Sequence, residues 1–270
     1  MHIEKIDWRG FKERISNHIE KKMGTRLCRG QSDSNWKLTT SFHRKKSGLD
    51  IPSYFSYIHH LSDVVGTFEN RVIDTEGNPN VNGAFMAYLQ HHGFPTPLLD
   101  WTLSPYVAAF FAFKGVDDSN PQSDEVAIYI FNHSLWLNDW SQVYDQNHVD
   151  PHVSIVKPKS LGNSRQIKQQ GFFYTWTNIE DIEGHIQSLE KTKGYNYLEK
   201  YCISVKERNF VMAELEAMGI TDYSLFGTLD SLCSYHKESL FRAESVGKTP
   251  AERIADLIEN SSTSDRSQKS

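Results

Sequence analysis

The stretch His91–Pro105, HHGFPTPLLDWTLSP, limits what this chain can fold into more than any other. Pro95 and Pro97 fix φ and remove backbone donors, so the chain must run extended there, and Gly93 closes the helix expected over 84–92. Asp100 then stands between Leu99 and Trp101. A carboxylate in apolar company is expensive to bury without a partner. Two readings of Asp100 stay open: a structural hub accepting from the amides of the next helix, or a group that positions a ligand or a catalytic partner. Thr102 and Ser104, just ahead of Pro105, are residue types that cap helices. Of His91 and His92, one reads as packing and the other as a polar site residue.

The elements around this segment alternate irregularly, which implies α+β rather than doubly wound α/β. Helices are expected over 7–22 with Asp7 as cap, from Ile51 to about Asp74, across SPYVAAFFAF, over 179–191 and 206–219, over 225–245 as a final core helix, and over 249–260. Strands are expected at TRLCRG, EVAIYIF, VSIVKP, GFFYTWT and YLEKYCISV, with WKLTTSF extended and EGNPNVNG a loop. A single domain over 1–258 followed by a disordered tail over 259–270 is the expected organisation. With 29 basic and 34 acidic residues the chain is mildly acidic, so any grip on nucleic acid has to be local. Three unpaired cysteines, a charged N-terminus without an apolar run, and no stretch near 18 apolar residues predict a cytoplasmic protein without a membrane partner.

Two further clusters carry polar chemistry. In Arg29-Gly30-Gln31, at a strand end, the planar guanidinium fork suits a phosphate or carboxylate and glycine permits close approach. In the run from Ser164 to Phe173, Arg165 and Gln169 share a helical face, and Gln169-Gln170-Gly171 then begin a strand. Each has an alternative as ordinary surface. The chain lacks GxSxG, HExxH, Walker A and GxGxxG, and adjacent histidines diverge within a strand, so no metal site is expected. Cys28 beside Arg29 reads as a packing residue.

Taken in order, these segments resemble the FRG-domain family. Cys28-Arg29-Gly30 stands where the family has Phe-Arg-Gly, followed by Trp36, Leu38 and Arg44. QHHGFPTPLLDWTLSPYVAAFFA is similar to the family's most specific stretch, departing at Pro97 where Arg is usual, and RQIKQQGFFYTW to a later one. GITDYSLFGTLDSL resembles the start of the family's closing helix, with Gly227 in place of the usual Pro, and the likeness runs over about residues 25–245. The resemblance implies an ADP-ribosyltransferase-like fold, a partly split small β-sheet surrounded by helices. It also implies a toxin or antiphage defence protein that transfers ADP-ribose from NAD to a nucleic acid, RNA above all, with a neutralising antitoxin or chaperone as partner. Arg29, His91, Asp100 and Gln169 would then be catalytic, and Arg29, Gly30, Gln31, Thr102, Ser104, Arg165 and Gln170 would contact NAD. The late strand has no Glu-x-Glu, so the stabilising charge falls to Asp100 or another carboxylate. The alternative is a non-enzymatic module that recognises nucleic acid or an invader's protein.

Overall fold

A computed structural model of the chain describes residues 1–21, 24–73, 75, 79–116, 123–158, 164–171 and 173–241. The chain divides into two compact units, Met1–Glu207 and Arg208–Ser270. The first holds two small sheets. One orders β1 (His2–Lys5), β7 (Leu198–Ser204), β4 (Glu125–Asn132) and β2 (Arg26–Gln31), with β1 parallel to β7 and the other pairs antiparallel. The other orders β3 (Leu98–Trp101), β6 (Phe173–Thr177) and β5 (Val153–Val156), all antiparallel. The α+β class and the division of the strands into two small sheets agree with the sequence.

The sheets meet where β2 passes β3, through one isolated antiparallel bridge between Cys28 and Thr102. Cys28 N–H donates to the Thr102 carbonyl at 2.7 Å, and Thr102 N–H donates back at 2.9 Å. Beyond the bridge the strands diverge. Period-two alternation of side chains then sorts the core. Leu27, Tyr129 and Phe131 of the first sheet share one apolar cluster with Leu99, Trp101, Val153 and Ile155 of the second. The opposite face of the second sheet, with Leu98, Tyr174, Trp176 and Val156, packs under α2 (Ile51–Glu69) and α3 (Pro79–His91) through Tyr54, Phe55, Ile58, Phe85 and Met86.

The far side of β2 is covered by α4 (Pro105–Lys114), capped by Ser104, whose hydroxyl accepts from Val107 N–H. Its Ala108, Ala109 and Ala112 are buried, and small side chains let the helix backbone approach the sheet closely. A Cβ on Gly30 would lie 1.9 Å from the Ala108 carbonyl oxygen and 2.7 Å from the Ala112 nitrogen. α1 (Trp8–Glu20), with Asp7 as cap, buries Trp8, Phe11 and Ile15, and the Phe11 ring meets Tyr201 of β7 edge-on.

Several boundaries differ from the sequence reading. The helix from Ile51 stops at Glu69, because Asn70 takes the left-handed conformation (φ 53°) and Arg71 N–H closes back on the Gly66 carbonyl. The loop expected over 76–83 is already helical from Pro79, a residue suited to a first helical turn. Strand β1 is too polar to betray itself and is held by pairing with β7. Trp36–Phe42 joins no ladder: Phe42 N–H donates to Thr96, and the Thr39 hydroxyl donates to the Glu180 carbonyl. Residues 133–146, whose sequence suits helix and loop alike, begin with the helix α5 (His133–Asp139).

In the second unit α8 (Arg208–Ala217) is followed by α9 (Asp222–Phe226) and α10 (Leu229–Phe241). Gly227 (φ 65°) breaks the single helix expected over 225–245 into the last two. The helix expected over 249–260 and the tail over 259–270 lie outside the described residues. No helix among the described residues is long and apolar enough to cross a membrane.

Replacing Gly30 by Ala pushes the new methyl into helix backbone, which cannot swing aside. The expected cost is roughly 1–3 kcal/mol, read as a lower urea midpoint at unchanged slope; a variant as stable as the wild type would contradict this close approach.

Candidate functional site

Continuing the ladder from the Cys28–Thr102 bridge by two residues on each strand sets Gly30 opposite Asp100, and there the sheets have already parted. The Arg29 guanidinium closes that gap. Its Nη1 donates to the Asp100 carbonyl oxygen at 2.9 Å and to the Asp100 carboxylate Oδ1 at 2.9 Å. One planar cation thus serves a strand-edge carbonyl and the side chain of the same residue.

Asp100 receives a second donor from α3. Gln90 Nε2 donates to Oδ1 at 3.3 Å, and the Gln90 amide oxygen in turn accepts the Thr96 hydroxyl. Thr96 is buried, and its carbonyl takes Phe42 N–H and the Ser41 hydroxyl. A connected path therefore runs from the loop before Arg44 through Thr96 and Gln90 to Asp100 and Arg29. Arg44 belongs to the same electrostatic neighbourhood: burial and the charge of Arg29 lower its pKa, while Asp100 raises it. Across the strand, Tyr174 is the register partner of Asp100. Its phenol is pushed up to about 12, by burial first, against the hydrogen bond from Gln166 and with Asp100 adding to the rise. Gln166 Nε2 donates to that phenol at 2.7 Å, and its buried Oε1 has no hydrogen-bond partner among the described groups.

The Asp100 side chain is 58% open to solvent, yet its flanks are crowded enough that desolvation is the largest influence on its carboxyl, pushing the pKa upward. The charge of Arg29, a backbone hydrogen bond, the Arg29 hydrogen bond and the nearby His91 outweigh the desolvation and hold the carboxyl below its ordinary 3.8. The result is an accessible carboxylate kept ionised beside two guanidinium groups.

Arg29, His91 and Asp100 are brought together as the sequence suggested. His92 instead lies against Tyr88, with ring centroids 4.7 Å apart. Asp100 does not cap the next helix; Ser104 does, so the hub reading is corrected in its partner, which is Arg29.

The remaining candidates build the frame. Gly30 faces α4 and has no room for a ligand. Gln31 is buried and donates to the Lys37 carbonyl at 3.3 Å. The Thr102 hydroxyl donates to the Gln169 carbonyl at 2.7 Å and accepts Ser104 N–H at 3.1 Å, so Thr102 and Ser104 shape the corner into α4 rather than line a nicotinamide pocket. Gln169 and Gln170 form a turn after α6 (Ser164–Lys168), not the start of a strand. Gln170 (φ 50°) presents its carbonyl to Leu103 N–H at 3.0 Å. The Arg165 side chain lies outside the described residues. Cys28 is buried and its thiol is pushed up to about 12 by that burial, so it packs.

Gln90, Thr96, Gln166 and Tyr174 escaped the sequence reading. Their signal was weak: none is acidic or basic, and only folding brings them to Asp100. Among the described residues no group of three His, Cys, Asp or Glu is placed to hold a metal ion.

Residues 25–121 match the FRG domain. Arg29, Arg44, Gln90, His91, Thr96 and Asp100 all fall inside the match. No curated protein and no solved structure matches the chain.

Because the Asp100 pKa is lowered on folding, the stability it contributes is fully present above its ordinary 3.8 and is lost as pH falls through the lower folded value. The stability difference between wild type and Asp100→Asn, measured by urea denaturation, should be flat at neutral pH and shrink as the solution is acidified below that range. A difference independent of pH down to the acid limit of folding would contradict the ion pair.

Proposed function

We propose that the protein is an NAD-dependent ADP-ribosyltransferase of the toxin or antiphage class, with a nucleic acid, RNA above all, as acceptor. The observation that carries this reading is Asp100, an exposed carboxylate kept ionised between Arg29 and His91 at the fork of two sheets. The paired small sheets also suit an ADP-ribosyltransferase-like fold.

In the proposed reaction the bond between nicotinamide nitrogen and ribose C1′ breaks, and nicotinamide leaves with the electron pair. Positive charge builds on the ribose, and a carboxylate facing it lowers the barrier because the attraction is strongest in the transition state. Asp100 has that role. The acceptor's nucleophile then bonds to C1′ and gives up its proton, which His91 accepts. Arg29 and Arg44 supply positive charge for the diphosphate, so that a ligand phosphate meets a site with more cations than carboxylates. A toxin of this kind implies a neutralising protein partner.

The second reading, a binding module without chemistry, is favoured by the same Arg29 bonds, which make the residue a structural staple. The two separate in an assay of the whole protein with NAD labelled on the adenylate and, in parallel, on nicotinamide, with RNA, DNA or protein added. The transferase reading expects nicotinamide release and label on nucleic acid, both reduced about a hundredfold or more in Asp100→Asn, with that variant still folded at the assay temperature. Absence of both signals in the wild type would leave the binding module.

A further inference from the structure

The turn that leads to Arg44 has a surface the NAD chemistry does not use. His43–Lys45 form a single 3-10 turn, ended by Lys46 in the left-handed conformation (φ 49°). Arg44, Lys45 and Lys46 are consecutive and exposed. No carboxylate lies between them and Asp50, which is itself committed to capping α2 through Ser53 N–H. Neither Lys45 nor Lys46 has an ion pair among the described residues. His43 adds no charge at neutral pH: burial lowers its pKa, against smaller opposing effects of a hydrogen bond to the Asn178 backbone and of Glu180. In a chain whose net charge is −5, Lys45 and Lys46, next to Arg44, form a local positive edge.

That edge is tied to the site and to an exposed ring. Arg44 Nη1 donates to the Thr39 carbonyl at 2.6 Å, and Ser41 and Phe42 both bond the Thr96 carbonyl, whose residue holds Gln90 against Asp100. On its other side, contacts between rings run from Phe42 to Tyr54 (4.9 Å), to Phe94 (6.4 Å) and to Tyr57 (6.5 Å, nearly parallel to Phe94). Tyr57 is 54% exposed at the end of this ladder. Cations on the turn and an exposed ring at the end of the ladder are the two ingredients that single-stranded nucleic acids need, phosphate neutralisation and a surface for base stacking.

We infer that the turn 43–46 and Tyr57 bind a single-stranded nucleic acid, with Lys45 and Lys46 on its phosphates and Tyr57 under a base, and that Arg44 leads the strand toward Asp100. The inference rests on the transferase reading for the strand's role as acceptor, but not for its binding. Arg44 is placed where the acceptor edge and the proposed diphosphate site join.

The test is fluorescence anisotropy of the full chain with a labelled single-stranded RNA of about a dozen nucleotides across a salt series. In Lys45→Glu/Lys46→Glu, two exposed substitutions, affinity at moderate salt should fall more than tenfold. The slope of log affinity against log salt should flatten by about 1.4, at roughly 0.7 for each phosphate that is no longer neutralised. Tyr57→Ala should weaken binding roughly fivefold or more with the slope unchanged. Nicotinamide release without RNA is read alongside and should be unaffected in the lysine variant. If RNA binding follows this pattern and no nicotinamide is ever released, the surface stands and the transferase reading falls. If the wild type does not bind the RNA, or both variants bind it with the wild-type affinity and slope, the inference is overturned.

Discussion

The contact on which the first unit depends is a guanidinium filling a fork. Two small sheets share one bridge, Cys28–Thr102, and then separate. A strand edge that leaves its partner has carbonyls to satisfy, and Arg29 satisfies that of Asp100 while neutralising its carboxylate. The arrangement gives a reason for the adjacency of Arg29 and Gly30. Arginine reaches across the gap from one face of β2, and glycine on the other face lets α4 come within backbone contact.

The elements that flank the fork fix its geometry from both sides. Thr102 is gripped by the Gln169 carbonyl, Leu103 by Gln170, and Ser104 starts α4, so the chain after Asp100 turns at a defined point. Ahead of it, Thr96 and Gln90 hold the carboxylate from α3. Asp100 is left in a crowded but open position, where its charge is stabilised by the protein and still available to something that binds. The residues that build the frame are therefore different from those that face the opening, although all lie within a few positions of one another in the sequence.

Much of this was legible in the sequence, and the misses have physical causes. Long, strongly patterned elements such as Glu125–Asn132 and Trp8–Glu20 appeared where expected, because a buried face imposes its period on the residues. Strand β1 was invisible, since an edge strand of exposed polar residues carries no such pattern. Asn70 and Gly227 ended helices through left-handed backbone, a choice that local preference permits but does not dictate. At the site, Arg29, His91 and Asp100 could be picked out as charged or titratable residues in constrained chain. Thr102, Ser104 and Gln31 were assigned to a ligand because residue type does not reveal that a hydroxyl or an amide is already bonded to the backbone. Gln90 and Arg44 could not be placed at Asp100 from spacing, because the path through Thr96 exists only in the folded chain.

The central claim is that Arg29 holds the fork through both the carbonyl and the carboxylate of Asp100. A double-mutant cycle with Arg29→Met and Asp100→Ala, followed by urea denaturation, separates the two contacts. The account predicts a coupling energy of about 1 kcal/mol between the single substitutions, and a further loss of about 1 kcal/mol from Arg29→Met even in the Asp100→Ala background, where the carbonyl loses its donor. Additive effects, or no residual cost of removing the guanidinium once the carboxylate is gone, would contradict it.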